Sequence, residues 1–285
     1  MNHSSAHIAV CVGLAISVCW PGQAAAQEDQ ADIGASALSG PEVLPAVDGI
    51  NAKLSPFVTG HDARAGAGLS GSVSLPLSHS AGLQIDAMSS SLDINNGFDS
   101  SVSSLGAHLF LRDPSKGLIG AYADYVHFDE FGGVGLYAGG IEGALYLDRV
   151  TLNGIVGLRS SDLDDDDFVF ARTEAAYYPT DNLKAAIGYD YNFERNSLFV
   201  STEWAFTAGQ SNNQSLFAVA NLSEGGELSV QSGLTFYFGN RDKPLIRRHR
   251  EDDPLNYQSA SLTTFNVYAI IRYCAATNDS APICQ

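Results

Sequence analysis

From residue 50 onward, apolar and polar side chains alternate with a period of two in segments of about ten residues, and turn-forming residues separate the segments. The clearest runs from Leu183 to Glu194, where Leu183, Ala185, Ile187, Tyr189, Tyr191 and Phe193 share one face and Lys184, Ala186, Gly188, Asp190, Asn192 and Glu194 the other. The next repeats the division, with Leu198, Val200, Thr202, Trp204 and Phe206 opposing Phe199, Ser201, Glu203 and Ala205. Such a strand stands between a greasy environment and a wet one. The pattern predicts about twelve strands, at 50–60, 66–77, 82–92, 102–112, 117–128, 133–147, 150–159, 168–178, 182–193, 196–206, 215–222 and 227–238. Gly139-Gly140 interrupts its segment and predicts a bulge or bend.

The connections fall into two kinds. Asp113-Pro114-Ser115-Lys116-Gly117, Asp148-Arg149 and Pro179-Thr180-Asp181-Asn182 read as compact turns, while 93–101, 129–133, 160–167 and 221–227 read as longer acidic links. Short turns at one end and long loops at the other suit a membrane barrel, although 207–215 falls on the turn side and is long. Hydrocarbon offers no hydrogen-bond partner, so a sheet crossing it must close on itself. A soluble β-sandwich has the same alternation. Aromatic residues near strand ends (Tyr125, Phe128, Tyr177, Tyr178, Phe193, Phe206, Phe238) favour the barrel as interfacial girdles.

The segment Gln231-Ser-Gly-Leu-Thr-Phe-Tyr-Phe238 places Gln231, then Gly233, then Phe236 and Phe238 along one strand. It resembles the C-terminal insertion signal of Gram-negative outer-membrane β-barrels, and residues 50–239 resemble porin-like barrels by pattern. The resemblance implies an all-β, antiparallel transmembrane barrel of about twelve strands. It further implies assembly by the barrel-assembly machinery, contact with outer-membrane lipid and lipopolysaccharide, and both termini in the periplasm.

The ends agree with export. An apolar run from Ile8 to Val18 followed by Ala24-Ala25-Ala26 reads as a signal peptide over 1–26. Residues 27–49 then form an acidic periplasmic lead-in, and 240–285 a periplasmic tail that either docks to a neighbour or folds back under the barrel mouth. Two residues of that tail, Cys274 and Cys284, are the cysteines a mature chain would keep; they are expected to pair in an oxidising compartment, the alternative being two free thiols. A strand-like patch at 262–273 leaves open a second reading in which it, and not 227–238, closes the barrel.

Charge narrows the function. Lys and Arg total 15 against 32 Asp and Glu, a net charge of -17, which argues against nucleic acid as a partner. If the alternation holds, the lumen receives Lys53, Asp86, His108, Arg112, Asp124, Glu142, Arg159, Arg172, Glu174, Lys184, Asp190 and Glu203. Around the Pro179 turn, Glu174 falls diagonal to Lys184 and Arg172 diagonal to Asp190. These groups form either a charge-lined constriction that passes small polar or ionic solutes or a network that merely satisfies buried charges. Accordingly the expected function is a narrow porin-like channel, with a non-conducting structural or surface-recognition barrel as the alternative. Asp162, Asp164, Asp165, Asp166 and Asp167 are weak candidates for divalent cations in an acidic loop, and no other cofactor is expected. Catalysis is not expected. Among Ser104, His108 and Asp124, the first two stand about 13 Å apart along one strand, too far for proton transfer.

Overall fold

The structure, a computed structural model, describes residues 44–61, 64–94, 98–129, 133–162, 164–208, 211–239, 243–252 and 254. Among these, twelve strands follow in order: β1 (Asn51–His61), β2 (Arg64–Pro76), β3 (Ala81–Ile94), β4 (Phe98–Asp113), β5 (Gly117–Phe128), β6 (Val134–Leu147), β7 (Val150–Ser161), β8 (Asp164–Thr180), β9 (Leu183–Asn192), β10 (Arg195–Ala208), β11 (Ser211–Ser223) and β12 (Leu228–Phe238). One short helix, α1 (Leu245–Glu251), comes after them. Each strand pairs antiparallel with its chain neighbours, and β12 returns to β1, with Leu54 opposite Phe236 and Phe57 opposite Gly233. The cylinder is closed, so its backbone hydrogen bonds are all made within the sheet. Because β12 closes it, the reading that made 262–273 the last strand fails; that segment itself lies outside the described residues.

Alternation sorts the side chains as hydrocarbon requires. In β9, Ala185, Ile187 and Tyr189 face out while Lys184, Ala186, Asp190 and Asn192 are buried. Ile119, Ile141 and Ile187 are 60–66% exposed, and the same apolar exterior recurs on every strand from β1 to β12. An apolar surface of that extent on the outside of a closed sheet rules out the sandwich, where it would be the core. No helix among the described residues is long and apolar enough to cross a membrane, and a β-barrel crosses with its strands.

The strands run further than the alternation predicts. β3, β4 and β8 have 14, 16 and 17 residues, against about 10 needed to span a bilayer. Polar stretches read as loops instead continue the ladder, because pairing satisfies backbone groups that a loop would leave to water. The expected loop at 93–101 shrinks to 95–97, that at 160–167 to 162–163, and the long link at 207–215 to 209–210. Links at the two ends are therefore of similar length, and the expected contrast between short turns and long loops is not found. Below, the end carrying 114–116, 148–149 and 181–182 is called the turn end and the other the loop end.

Gly139-Gly140 makes no bulge: the register runs unbroken through Tyr122 opposite Gly140 and Gly157 opposite Gly140. These glycines serve close approach, since a Cβ on Gly157 would lie 2.2 Å from the Gly139 carbonyl oxygen. The register shifts fall elsewhere, at Ser160/Ser161, Tyr177/Thr180 and Phe206/Ala208.

Three of the girdle aromatics are also placed differently. Tyr125, Tyr177 and Phe238 lie on the exterior, but Phe128, Tyr178 and Phe193 are buried inside. Phe128 shares the parity of Asp124, and Tyr178 that of Glu174, so alternation outranks aromatic character. At Phe193 the cause is a turn: Phe193 and Glu194 have φ of 51° and 59°, the left-handed conformation of both central residues in a tight hairpin. That conformation costs about 1–3 kcal/mol in a non-glycine residue, and the Phe193 ring offsets it by packing inside the barrel at 5.5 Å from Phe168.

Candidate functional site: the barrel interior

The inward faces build three layers. Nearest the loop end, Phe57, Met88, Val102, Val126, Phe128, Val134, Leu136, Phe168 and Phe193 form one buried apolar cluster. The residues expected in the lumen were all charged or polar, and this layer adds an apolar one. Twelve strands make a narrow cylinder whose walls face each other closely, so inward apolar side chains meet and exclude water.

The middle layer holds the charges. Of the residues assigned to the lumen, Asp86, His108, Arg112, Asp124, Glu142, Arg159, Glu174, Lys184 and Asp190 are buried, Arg172 and Glu203 nearly so, and the half-buried Lys53 lines an interior cavity. His108 stands between two carboxylates, with Nε2 2.9 Å from Asp86 Oδ2 and Nδ1 2.9 Å from Glu142 Oε1. Both contacts are hydrogen bonds only when both ring nitrogens carry protons. Gln84 donates to the other Asp86 oxygen at 2.8 Å. Asp124 accepts from Tyr122 at 2.5 Å and from Arg159 at 3.2 Å, and the Arg159 guanidinium lies 5.1 Å from the centre of the Phe170 ring.

Arg172 pairs with Asp190 at 2.9 Å and lies over Phe199 at 3.6 Å. The two partners stand directly opposite in register, not diagonally, because of the shift at Tyr177/Thr180. Lys184 reaches Glu174 at 2.7 Å although Glu174 stands opposite Gly188; the reach comes from the long side chains. Ser104, His108 and Asp124 form no relay, since Ser104 Oγ has no hydrogen-bond partner among the described residues and Asp124 serves Tyr122 and Arg159.

The third layer, at the turn end, is one that strand periodicity did not reveal. α1 and its flanks lie in the barrel mouth, with Lys243, Leu245, Arg248, Glu251 and Asp252 buried. Arg112 donates to the carbonyls of Glu251 and Asp252 at 3.0 Å each and to that of Ala46 at 2.6 Å. His249 sits 3.1 Å from Glu203 and 2.9 Å from the Tyr178 hydroxyl. Lys243 contacts Asp48 at 2.5 Å, Glu251 at 3.3 Å, and Asp252. The end of the lead-in joins the layer: Val47 packs with Phe110, Leu118 and Tyr146. Of the two arrangements expected for the tail, residues 243–252 and 254 adopt folding back into the mouth. The basic-then-acidic run Arg247 to Asp252 was the visible sign, since charges of both signs suit a wall of both signs.

The Asp48–Lys243 contact lies outside the spanning strands and makes this layer sensitive to pH. Burial opposes the charge on Asp48, but hydrogen bonding and charge from Lys243 outweigh it and hold the carboxyl below its ordinary 3.8. Burial also opposes the charge on Lys243, yet Asp252 and Asp48 hold it above 10.5. A carboxyl lowered on folding stabilises the fold above its unfolded value and loses that contribution as pH falls through the folded value. The raised amine contributes below 10.5 and is lost on the alkaline side. Hydrogen exchange at the amides of 245–251, corrected for the intrinsic rate, is therefore expected to accelerate below pH 3.8. Asp48→Asn should remove the acid step; an identical step in that variant would assign it to another group.

Between α1 and the wall built by β1, β2 and β9–β12 lies a cavity of about 170 Å³. Ser55, Ser70, Ser72, Gln231 and Thr235 line it together with Lys53, and His249 and Pro254 border it from the mouth side. A smaller space of about 20 Å³ adjoins it at Lys184, His249 and Pro254, and another of about 10 Å³ lies among Tyr122, Arg159, Arg172 and Asp190.

Asp162 accepts from the Gly135 amide at 3.1 Å and Asp167 from the Ser160 hydroxyl at 2.6 Å. Among the described residues no cluster of three His, Cys, Asp or Glu is placed to hold a metal ion. The side chains of Asp164, Asp165 and Asp166, and both Cys274 and Cys284, lie outside the described residues.

No protein-family model and no curated protein matches the chain. Solved structures do. The KdgM porin matches with a TM-score of 0.52 at 9% identity over 66% of this chain and 99% of its own, as does the same porin in complex with disordered oligogalacturonate. The outer-membrane protein Omp33 of Acinetobacter baumannii matches at 0.45, with 9% identity over 66% of this chain and 98% of its own. Outer-membrane phospholipase A of Escherichia coli also matches at 0.45, with 10% identity over 70% and 94%. By fold the chain is a closed antiparallel β-barrel of the kind seen in an outer-membrane porin. It is a twelve-stranded barrel with porins among its structural neighbours.

Proposed function

We propose that the protein is a narrow porin-like channel for small polar or ionic solutes. The observation that carries this reading is the cavity of about 170 Å³ inside the cylinder, lined by hydroxyl and amide side chains on β1, β2 and β12, by Phe217 and Val219 on β11, and by Lys53, Lys184 and Glu203. The small side chains of Ser55, Ser70, Ser72 and Thr235 leave room on this part of the wall. Solutes pass along it, while the ion pairs of the middle layer hold the cylinder rigid. The arrangement described is a closed one, with the apolar layer at the loop end and residues 243–252 and 254 at the turn end.

The same reading takes 1–26 as a signal peptide, the outer membrane as the location and the turn end, with both termini, as periplasmic. Gln231, Gly233, Phe236 and Phe238 would be presented to the barrel-assembly machinery, and the acidic residues at the loop end would meet lipopolysaccharide through divalent cations. The protein acts without catalytic chemistry, and the charged middle layer supports this because its groups are spent on one another.

Purified protein in planar bilayers is expected to show discrete, small conductance steps. Protein shown to be inserted that stays silent under every condition, including after residues 243–254 have been released, would leave a structural barrel as the better reading.

A further inference from the structure

We infer that residues 243–254 are an autoinhibitory plug that shuts the turn-end mouth; the inference rests on the channel reading above and supplies its regulation. Three observations carry it.

The first is complementarity. Lys243 and Arg248 are 2% and 1% exposed, and charges are brought into a barrel mouth only where partners replace their water. The wall and the lead-in supply partners for the segment all round. Arg112 takes the two carbonyls that end the helix, Asp48 takes Lys243, and Glu203 with Tyr178 takes His249. Arg250 reaches the carbonyls of Leu147 and Val150 at 3.2 and 3.1 Å. A segment held at so many points of the inner wall is seated in one position.

The second is that its hold is of a releasable kind. α1 spans seven residues; its N-cap Pro244 offers no side-chain cap, and the Leu245 amide instead donates to Asn182 Oδ1 of the wall at 3.2 Å. A helix of about two turns does not persist in water on its own. Among the described residues its apolar anchorage is Leu245 beside Ala205 and Tyr237, and Ile246 beside Ala176, Tyr178 and Ala186. The remaining contacts are polar and can be exchanged for water and salt. The strands, by contrast, are locked by the closed ladder and keep their shape when the segment leaves.

The third is position. His249 and Pro254 form part of the boundary of the cavity of about 170 Å³. Withdrawing the segment opens that space toward the turn end and removes the charges that occupy the mouth.

The test uses the full chain carrying Cys274→Ser and Cys284→Ser. Asp181→Cys with Ile246→Cys places a disulfide where the Ile246 amide already meets the Asp181 carbonyl at 3.0 Å. Lys243→Gln with His249→Gln removes two polar anchors and leaves all twelve strands unaltered. The anchor variant is expected to raise open probability in planar bilayers about tenfold, the shift that loss of one charge-assisted hydrogen bond produces in a closed–open equilibrium. Adding the cysteine pair should abolish the gain when oxidised and restore it on reduction. Because that comparison is made on the same folded molecules, a folding defect cannot imitate it. Equal conductance in the parent, released and locked forms overturns the plug and leaves the channel standing. Silence in all three, with insertion shown by heat-modifiable mobility, overturns both.

Discussion

Replacing His108 with alanine is expected to destabilise the barrel by about 3–5 kcal/mol, the cost of removing one partner from a buried charge cluster. The imidazole occupies the gap between Asp86 and Glu142 at 2.9 Å from each, and all three are buried. Without it two carboxylates face one another across an empty space that the narrow cylinder cannot collapse. The midpoint of urea unfolding from lipid vesicles, followed by tryptophan fluorescence, reads the loss. Adding Asp86→Asn and Glu142→Gln to the alanine variant should recover much of it, because amides do not repel. An unchanged midpoint in the single variant would mean that the cluster contributes no net stability.

Ile187→Arg is expected to cost about 2–4 kcal/mol on insertion, the penalty of a cation on the lipid face near the bilayer midplane. Ile187 sits at the middle of β9 and is 60% exposed, which in water would make the substitution nearly free. The size of the effect therefore measures the solvent that the exterior meets. Arginine in place of Asp148, an exposed residue in the link after β6, serves as the control and should cost close to nothing. Equal, small effects at both positions would end the membrane reading of the exterior.

The twelve strands were legible because their signal is local. A period of two is imposed by the pleat itself, and a wall between lipid and interior keeps the same polarity on each face from end to end. The inward placement of Asp86, His108 and Glu142 followed from parity alone. Where a different cue was allowed to overrule parity, as with Phe128 and Tyr178, the reading failed. Gly139-Gly140 failed for a related reason, since absence of a side chain serves strand crowding as readily as a bulge, and only the neighbouring strand distinguishes them.

The sequence by itself thus determined an antiparallel run of strands, which face of each meets lipid, and which charges lie within. The tertiary structure decided the rest: the extension of polar stretches into longer strands, the direct pairing of Arg172 with Asp190, the apolar layer at the loop end and the seating of residues 243–252 and 254 in the turn-end mouth. Periodicity reports the environment of each residue one strand at a time. What meets across a closed cylinder depends on its diameter and register, and those arise only when β12 finds β1.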